Sequence, residues 1–88
     1  MLLKHEDNRF VIYDDEVEVG YLEYADVDGV WHLNSTFVYP AYRNQGQAEK
    51  LVDGTVAYMR EHNIKAVPTC SYIVAKFATG GYEDVDAR

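Results

Sequence analysis

The sequence predicts a small α/β fold of the α+β type, with elements in the order β-β-β-α-β-α. Two periodicities support this prediction. Apolar and polar residues alternate with a period of two in the first part of the chain, which is typical of strands with one buried face. A stripe of apolar residues with a helical period follows between residues 47 and 62. A chain of 88 residues has room for one hydrophobic core, so we expect a single domain over residues 1–88.

The first three predicted strands form an antiparallel meander. Residues 9–13 are rich in β-branched and aromatic side chains and end at the carboxylates of Asp14 and Asp15, which favour a turn. Val17, Val19 and Tyr21 alternate with Glu16, Glu18 and Gly20, which predicts a strand that continues through Tyr24. The pair Asp28-Gly29 then favours a tight turn before a long third strand over residues 30–38.

Simple alternation divides the third strand between two faces. One face would carry Trp31, Leu33, Ser35 and Phe37, and the other would carry His32, Asn34, Thr36 and Val38. Pro40 lacks an N–H group and ends the strand.

The second half of the chain predicts helix, strand, helix. The strongest periodic signal is an apolar stripe on a helix over residues 47–62, made by Ala48, Leu51, Val52, Thr55, Val56 and Met59. Residues 66–69 form a fourth strand, and Ser71 is a natural N-cap for a second helix that ends near Ala78. The third strand, first helix and fourth strand make a right-handed crossover with parallel strands. The last residues, 82–88, read as a polar tail.

Composition and charge restrict the function. The formal charge of −7 and only eight Lys and Arg residues argue against a general nucleic-acid-binding protein. The single cysteine excludes an intrachain disulfide and a cysteine-based zinc site, and no metal site is predicted. No apolar run reaches the length of a membrane span, and the N-terminus lacks a signal-peptide core. We therefore expect a cytoplasmic protein that does not associate with membranes.

The segment between the third strand and the first helix is suited to an anion. It reads Arg43-Asn44-Gln45-Gly46-Gln47-Ala48. The first N–H groups of a helix have no partners within that helix, and the helix dipole adds positive charge beside them. Gly46 lets the backbone approach a ligand, so the segment is competent to hold a pyrophosphate. On physical grounds alone, an ordinary strand-to-helix turn is the favoured interpretation of this single glycine.

Two motifs in this order resemble those of a known family. Residues 43–48 are similar to the (Gln/Arg)-x-x-Gly-x-(Gly/Ala) motif of the GNAT N-acetyltransferase superfamily. The strand segment Thr36-Phe37-Val38 and the later Pro68-Thr69-Cys70-Ser71-Tyr72 are similar to motifs of its small, stand-alone branch. The closing residues 82–85 also resemble that branch. The resemblance covers nearly the whole chain and implies a minimal GNAT-like fold.

The resemblance also implies a cofactor, acetyl-CoA, and a site for it. Backbone amides of Arg43, Asn44, Gln45, Gly46, Gln47 and Ala48 would hold the pyrophosphate. The main chain of Phe37 and Val38 would pair with the pantetheine arm. Arg43, Lys50 and Lys76 are candidates to neutralise phosphate charge, although each is equally well explained as a surface cation.

Acetyl transfer also needs a proton donor for the departing thiolate and a base for the amine. The resemblance implies that Cys70 lies in the active site, where its thiol could act as nucleophile or acid; the alternative is a small buried side chain. The branch often has His where this chain has Ser35, which leaves the base unassigned. His32 is expected on the opposite strand face, and His5 in a frayed terminus. Glu23 and Tyr24 are alternatives between which the sequence does not decide.

Three functions are compatible with these features. The first is an acetyl-CoA-dependent N-acetyltransferase acting on a small amine or a protein amine. The second, motivated by Ser35, is a CoA or acyl-CoA-binding module with little turnover. The third is an α/β interaction protein without a cofactor. Few residues precede the first predicted strand, so the acceptor side is either shallow or completed by a second protomer in a homodimer.

Overall fold

The computed structural model describes residues 1–88 and contains a five-stranded mixed sheet with two helices. The strands are β1 (Leu2–Glu6), β2 (Arg9–Asp14), β3 (Val17–Val27), β4 (Val30–Val38) and β5 (Lys65–Pro68), and the helices are α1 (Gln47–Glu61) and α2 (Ser71–Ala78). A short 3-10 helix, Pro40–Tyr42, precedes α1. Strands β1 to β4 are antiparallel neighbours, and β5 is parallel to β4. The predicted fold class and the parallel crossover are confirmed.

The first strand, β1, was not predicted, so the meander has four strands rather than three. It pairs with β2 from Leu2 to Glu6, and its inward side chains, Leu3 and His5, pack toward α1. A Cβ atom on Gly54 of α1 would overlap Leu3, so the helix glycine permits this close approach. The terminus around His5 is therefore not frayed. Three of the five residues of β1 are polar or charged, namely Lys4, His5 and Glu6, and Asp7 follows them. This polar run concealed the strand in the sequence.

A bulge in β4 changes the predicted faces. Glu23 pairs with Ser35 whereas Tyr24 pairs with Leu33, which leaves Asn34 as an extra residue. An extra residue reverses which face each following side chain occupies. Thr36 and Val38 therefore share the buried face with Leu33, while Ser35 and Phe37 point to the other side. The prediction that Leu33 and Phe37 share a face was wrong, and so was the placement of His32 opposite Ser35.

The core lies between the inward face of the sheet and the two helices. Leu22, Leu33, Leu51, Met59 and Ile73 are among its fully buried side chains. The tail also contributes: Val85 is buried, and Ala66 of β5 exchanges backbone hydrogen bonds with Val85 and Ala87. The interpretation of residues 82–88 as a purely polar tail was wrong for Val85.

The helix boundaries are close to the predicted ones. Helix α1 begins at Gln47, as expected, and ends at Glu61 with His62 as its C-cap. Helix α2 begins at Ser71, but its N-cap is Cys70, not Ser71, and no side chain caps it. Neither helix is long and apolar enough to cross a membrane.

Candidate functional site

The parallel pair β4 and β5 separates part of the way along β4. Strand β5 pairs with β4 only from Val30 to Leu33, so the β4 edge from Asn34 to Val38 faces no strand. The N–H groups of Thr69 and Cys70 both donate to the Leu33 carbonyl, at 3.1 and 3.2 Å, which turns the chain away into α2. A gap therefore opens between the second half of β4 and the start of α2.

The loop before α1 presents a row of free backbone donors. Asn44 and Gly46 both have positive φ angles, 64° and 76°, so the backbone bends twice in the left-handed region. None of the backbone N–H groups from residue 44 to residue 49 donates to a carbonyl of the chain, and the first bond of the helix is from Lys50 N to Gly46 O. No side chain caps the helix. Successive N–H groups in such a conformation form an anion-binding concavity, reinforced by the helix dipole.

A cleft of about 370 Å³ lies at this loop. It is lined by one residue of β4, one of the 3-10 helix, three of the loop, three of α1 and one of α2: Val38, Tyr42, Arg43, Asn44, Gly46, Gln47, Ala48, Glu49 and Tyr72. Six of the predicted site residues are thus brought together. Phe37, Gln45 and Cys70 do not line the cleft.

The Phe37 side chain lies on the outer face of the sheet, away from the helices. Its ring is 5.7 Å from that of Tyr21 and 5.1 Å from that of Tyr39, centroid to centroid. The Arg43 guanidinium covers the same ring at 5.4 Å. Only the main chain of Phe37, on the unpaired β4 edge, is therefore available to a ligand in the gap.

The three candidate cations differ in their availability. Arg43 donates from Nε to the Val38 carbonyl at 2.8 Å, so this carbonyl already has a partner. Lys76 forms an ion pair with Glu49 at 3.3 Å; burial lowers its pKa, but hydrogen bonds to Tyr82 and Glu49 outweigh burial and raise that pKa. Lys50 is exposed and forms no ion pair. Lys50 is thus the only one of the three that no other group engages.

Cys70 and Tyr72 occupy different positions beside the gap. Cys70 is half-buried at the junction of β5 and α2 and packs against the core. Tyr72 lies two residues further on, in the first turn of α2, with 40% of its surface exposed, and it lines the cleft. Tyr72 is the last residue of the Pro-x-Cys-Ser-Tyr segment, and its place in that segment is the sequence signal for this position.

The structure separates the candidate bases. The hydroxyl of Tyr24 is 2.6 Å from His5 Nε2 and donates to the Asp7 carbonyl, and its ring is buried against Trp31, so Tyr24 is committed to the core. His5 and His62 both contact the Tyr58 ring of α1 and line no part of the cleft. Glu23 does not line the cleft either, but it is exposed and pairs directly with Ser35 across β3 and β4.

Comparison with known proteins gives one consistent result. Residues 9–85 match the family model described as GCN5-related N-acetyl-transferase. No curated protein sequence matches the chain. A solution structure of a GCN5-like protein from Staphylococcus aureus superposes with a TM-score of 0.71 at 29% identity, over 97% of this chain and 86% of that one.

Two larger enzymes share the fold. The ribosomal-protein-S18-alanine N-acetyltransferase of Escherichia coli has a TM-score of 0.69 at 14% identity, over 83% of this chain and 50% of its own. AAC(6')-Iy, in complex with the bisubstrate analogue CoA-S-monomethyl-acetylneamine, has a TM-score of 0.62 at 20% identity, over 91% of this chain and 64% of its own. The chain thus spans half of the first enzyme and less than two thirds of the second.

Proposed function

The chain belongs to the GCN5-related N-acetyltransferase family, and from this premise we propose that it takes an acetyl group from acetyl-CoA and transfers it to an amine. Family membership makes the chain an acyltransferase. The identity of the donor is carried by one observation, the row of free N–H groups from residue 44 to residue 49 at the cleft. These groups fit a pyrophosphate, because two adjacent phosphates need several converging donors.

The remainder of the donor would follow the unpaired edge of β4. Free strand edges present N–H and C=O groups that an extended chain with amides can use, and pantetheine has two amides. The Val38 carbonyl already accepts a hydrogen bond from Arg43, so the arm would use main-chain groups nearer Asn34. This shifts the predicted contact away from the Val38 carbonyl. AAC(6')-Iy, a fold relative, has been seen with CoA.

Two groups of α2 and its cap are candidates to assist the leaving thiolate. In the transfer, the amine nitrogen forms a bond to the acetyl carbon, the carbon–sulfur bond breaks, and the thiolate needs a proton or a hydrogen bond. Tyr72 presents a hydroxyl in the cleft, whereas Cys70 is half-buried and does not line it. We therefore assign proton donation first to Tyr72, with Cys70 as the alternative predicted from the sequence.

Glu23 is the base that this geometry favours. It faces Ser35 directly, at the position where the related branch often has His, and a carboxylate there can remove a proton from the amine through water. His32, which lies on the same face of β4 because of the Asn34 bulge, is the second candidate. The two candidates are distinguished by replacing each with Gln and measuring kcat as a function of pH. Replacing the essential base should remove the rise of kcat with pH that is caused by deprotonation of that base.

Binding is tested first. The melting temperature of the wild-type chain is measured with acetyl-CoA, CoA and adenosine at millimolar concentration. A ligand held at a hundred times its Kd stabilises the native state by about 2.7 kcal/mol, which is a shift of many degrees for a domain of this size. Adenosine, which has no pyrophosphate, should give no shift. If neither acetyl-CoA nor CoA shifted the melting temperature, the proposal would be refuted.

Turnover is tested next, by release of free CoA thiol with a panel of small amines and peptide amines. We expect wild-type activity to be reduced strongly by Tyr72→Phe, which removes only the hydroxyl, and less by Cys70→Ser. The reverse order would return the acid or nucleophile role to Cys70. A chain that binds acetyl-CoA but transfers to no amine would be a CoA-binding module, the second function, which is motivated by Ser35 at the position where the related branch often has His.

A further inference from the structure

Two buried side-chain polar atoms have no hydrogen-bond partner in the structure: Thr36 Oγ1 and Gln47 Oε1. Buried polar groups are nearly always paired, so each exception calls for a physical reason. Thr36 lies near the end of β4, and Gln47 is the first residue of α1. Gln47 lines the cleft, and Thr36 is on the same face of β4 as Val38, which also lines it.

Gln47 occupies an unusual position for an amide. It is the first residue of α1, four residues before the fully buried Leu51, and only 4% of its surface is exposed. A polar side chain on the buried stripe of a helix lowers stability unless it is satisfied. An apolar residue there would avoid this cost. The buried amide is therefore explained if a ligand in the cleft supplies the missing partner.

The chemistry of the free atom indicates which part of a ligand reaches it. A carbonyl oxygen accepts hydrogen bonds and carries partial negative charge, so it repels phosphate oxygens. The neighbouring backbone N–H groups, in contrast, attract them. The site thus presents donors for an anion beside one buried acceptor, which needs a neutral N–H or O–H group.

We propose that the Gln47 side chain is a specificity-determining contact that accepts a hydrogen bond from an N–H or O–H group of the pantetheine arm, immediately beyond the pyrophosphate. This inference rests on the proposed function. Such a contact would let the cleft distinguish a pantetheine thioester from a diphosphate without the arm, such as adenosine diphosphate, which could use only the backbone amides. A second unpaired group, Thr36 Oγ1, lies on the face of β4 that also carries Val38.

The test compares two ligands on Gln47→Leu, which keeps a side chain of similar size. By calorimetry, CoA should bind about five- to tenfold more weakly than to wild type, as expected for one lost hydrogen bond. Adenosine diphosphate, which has the diphosphate but no arm, should bind within twofold of wild type. The melting temperature without ligand should be unchanged or higher, because an unpaired buried group has been removed.

Thr55→Val is the matched control on the same helix. Thr55 is fully buried, but its hydroxyl donates to the Leu51 carbonyl at 2.7 Å, so its hydrogen bond is made within the protein. This variant should lower the melting temperature and leave the affinity for CoA unchanged, the opposite pattern to Gln47→Leu. Equal CoA affinity of Gln47→Leu and wild type, or an equal loss for adenosine diphosphate, would overturn the inference. Failure of wild type to bind CoA would instead refute the proposed function.

Discussion

At the scale of single residues, the site depends on two left-handed backbone conformations. Asn44 and Gly46 alternate with residues in other conformations, and this alternation directs successive N–H groups to one side. Asn is the residue other than Gly that most readily adopts positive φ, because its short amide can bond locally. The sequence motif therefore encodes the bend of the loop as well as space for a ligand.

Replacing Gly46 by Ala tests both the bend of the loop, through the stability of the protein, and the space for a ligand, through the affinity for CoA. Nothing in the protein lies within 4 Å of the position that a Cβ atom would take, so the substitution causes no clash with the chain. We expect a loss of about 1–2 kcal/mol in the free energy of unfolding from the left-handed conformation. We also expect at least about a tenfold loss of CoA affinity, because the new methyl group occupies the cleft.

Gly29→Ala is the control for Gly46→Ala. Gly29 has a φ angle of 87° in the turn between β3 and β4 and also has open space around it. It should cost similar stability and leave CoA affinity intact. If both variants bound CoA like wild type, the loop would have no part in binding.

At the scale of elements, contacts between distant segments set the geometry. The bulge at Asn34 reverses the exposure of the second half of β4, and β5 ends at Pro68, opposite Leu33. These two features place Ser35 and Glu23 on the outer face and leave an unpaired edge beside α2. Strand β1 likewise depends on α1, since Leu3 packs on Gly54.

The contact between β1 and α1 can be measured with a double-mutant cycle. Ala is favoured over Gly in a helix by about 1 kcal/mol, so Gly54→Ala should stabilise a chain in which Leu3 is already Ala. In the wild-type background the new methyl group displaces the Leu3 side chain, and we expect most of this gain to be lost. Denaturant unfolding of the four proteins gives the coupling, expected near 1 kcal/mol. Additive effects would show that β1 does not pack on Gly54.

At the scale of the whole molecule, the two ends of α1 have different roles. Its N-terminus lies at the cleft, whereas its C-terminal half contributes Tyr58 to an aromatic cluster with His5, Phe10, Tyr24 and Trp31. His62 stacks on Tyr58 at 4.1 Å, and His5 meets the same ring at 4.6 Å, so one tyrosine contacts both imidazoles. Although the formal charge of the whole chain is −7, the positive charges of protonated His5 and His62 would lie close together at this ring.

This arrangement predicts a pH dependence of stability. Burial, and then the charge of His62, lower the pKa of His5, while the Asp7 carbonyl acts in the opposite sense. In the unfolded chain the pKa of His is about 6.5. As the pH falls below this value, the unfolded chain therefore binds more protons than the folded chain. The stability contributed by neutral His5 is fully present above about pH 6.5 and is lost as the pH falls toward its lowered pKa in the folded chain.

The measurement is the melting temperature between about pH 7.5 and about pH 5.5, where the carboxylates stay ionised. We expect it to fall in wild type and to fall less in His62→Gln, which removes one of the two causes. Equal slopes in the two proteins would contradict the assigned repulsion. Glu61, which lines the same surface as His5, is unchanged in both and does not account for a difference.

The loop and the helix that follows it could be read from the sequence because their causes are local. The stripe from Leu51 to Met59, the glycine at position 46 and the start of α1 all follow from short-range periodicity and backbone preference. The same holds for the Asp28-Gly29 turn. In contrast, β1 was missed because its polar residues become a strand only by pairing with β2 and packing on Gly54.

The sequence by itself determined the order of the elements, the amphipathic helix and the loop of residues 43–48, because these follow from periodicities and conformational preferences of neighbouring residues. The tertiary structure decided which side chains meet. It placed Tyr72 in the cleft and Cys70 outside it, turned Phe37 to the outer face and left Gln47 buried without a partner. The side on which Phe37 lies depends on one extra residue in β4, and the positions of Tyr72 and Cys70 depend on where β5 ends. Register between strands is a long-range property that local patterns do not specify.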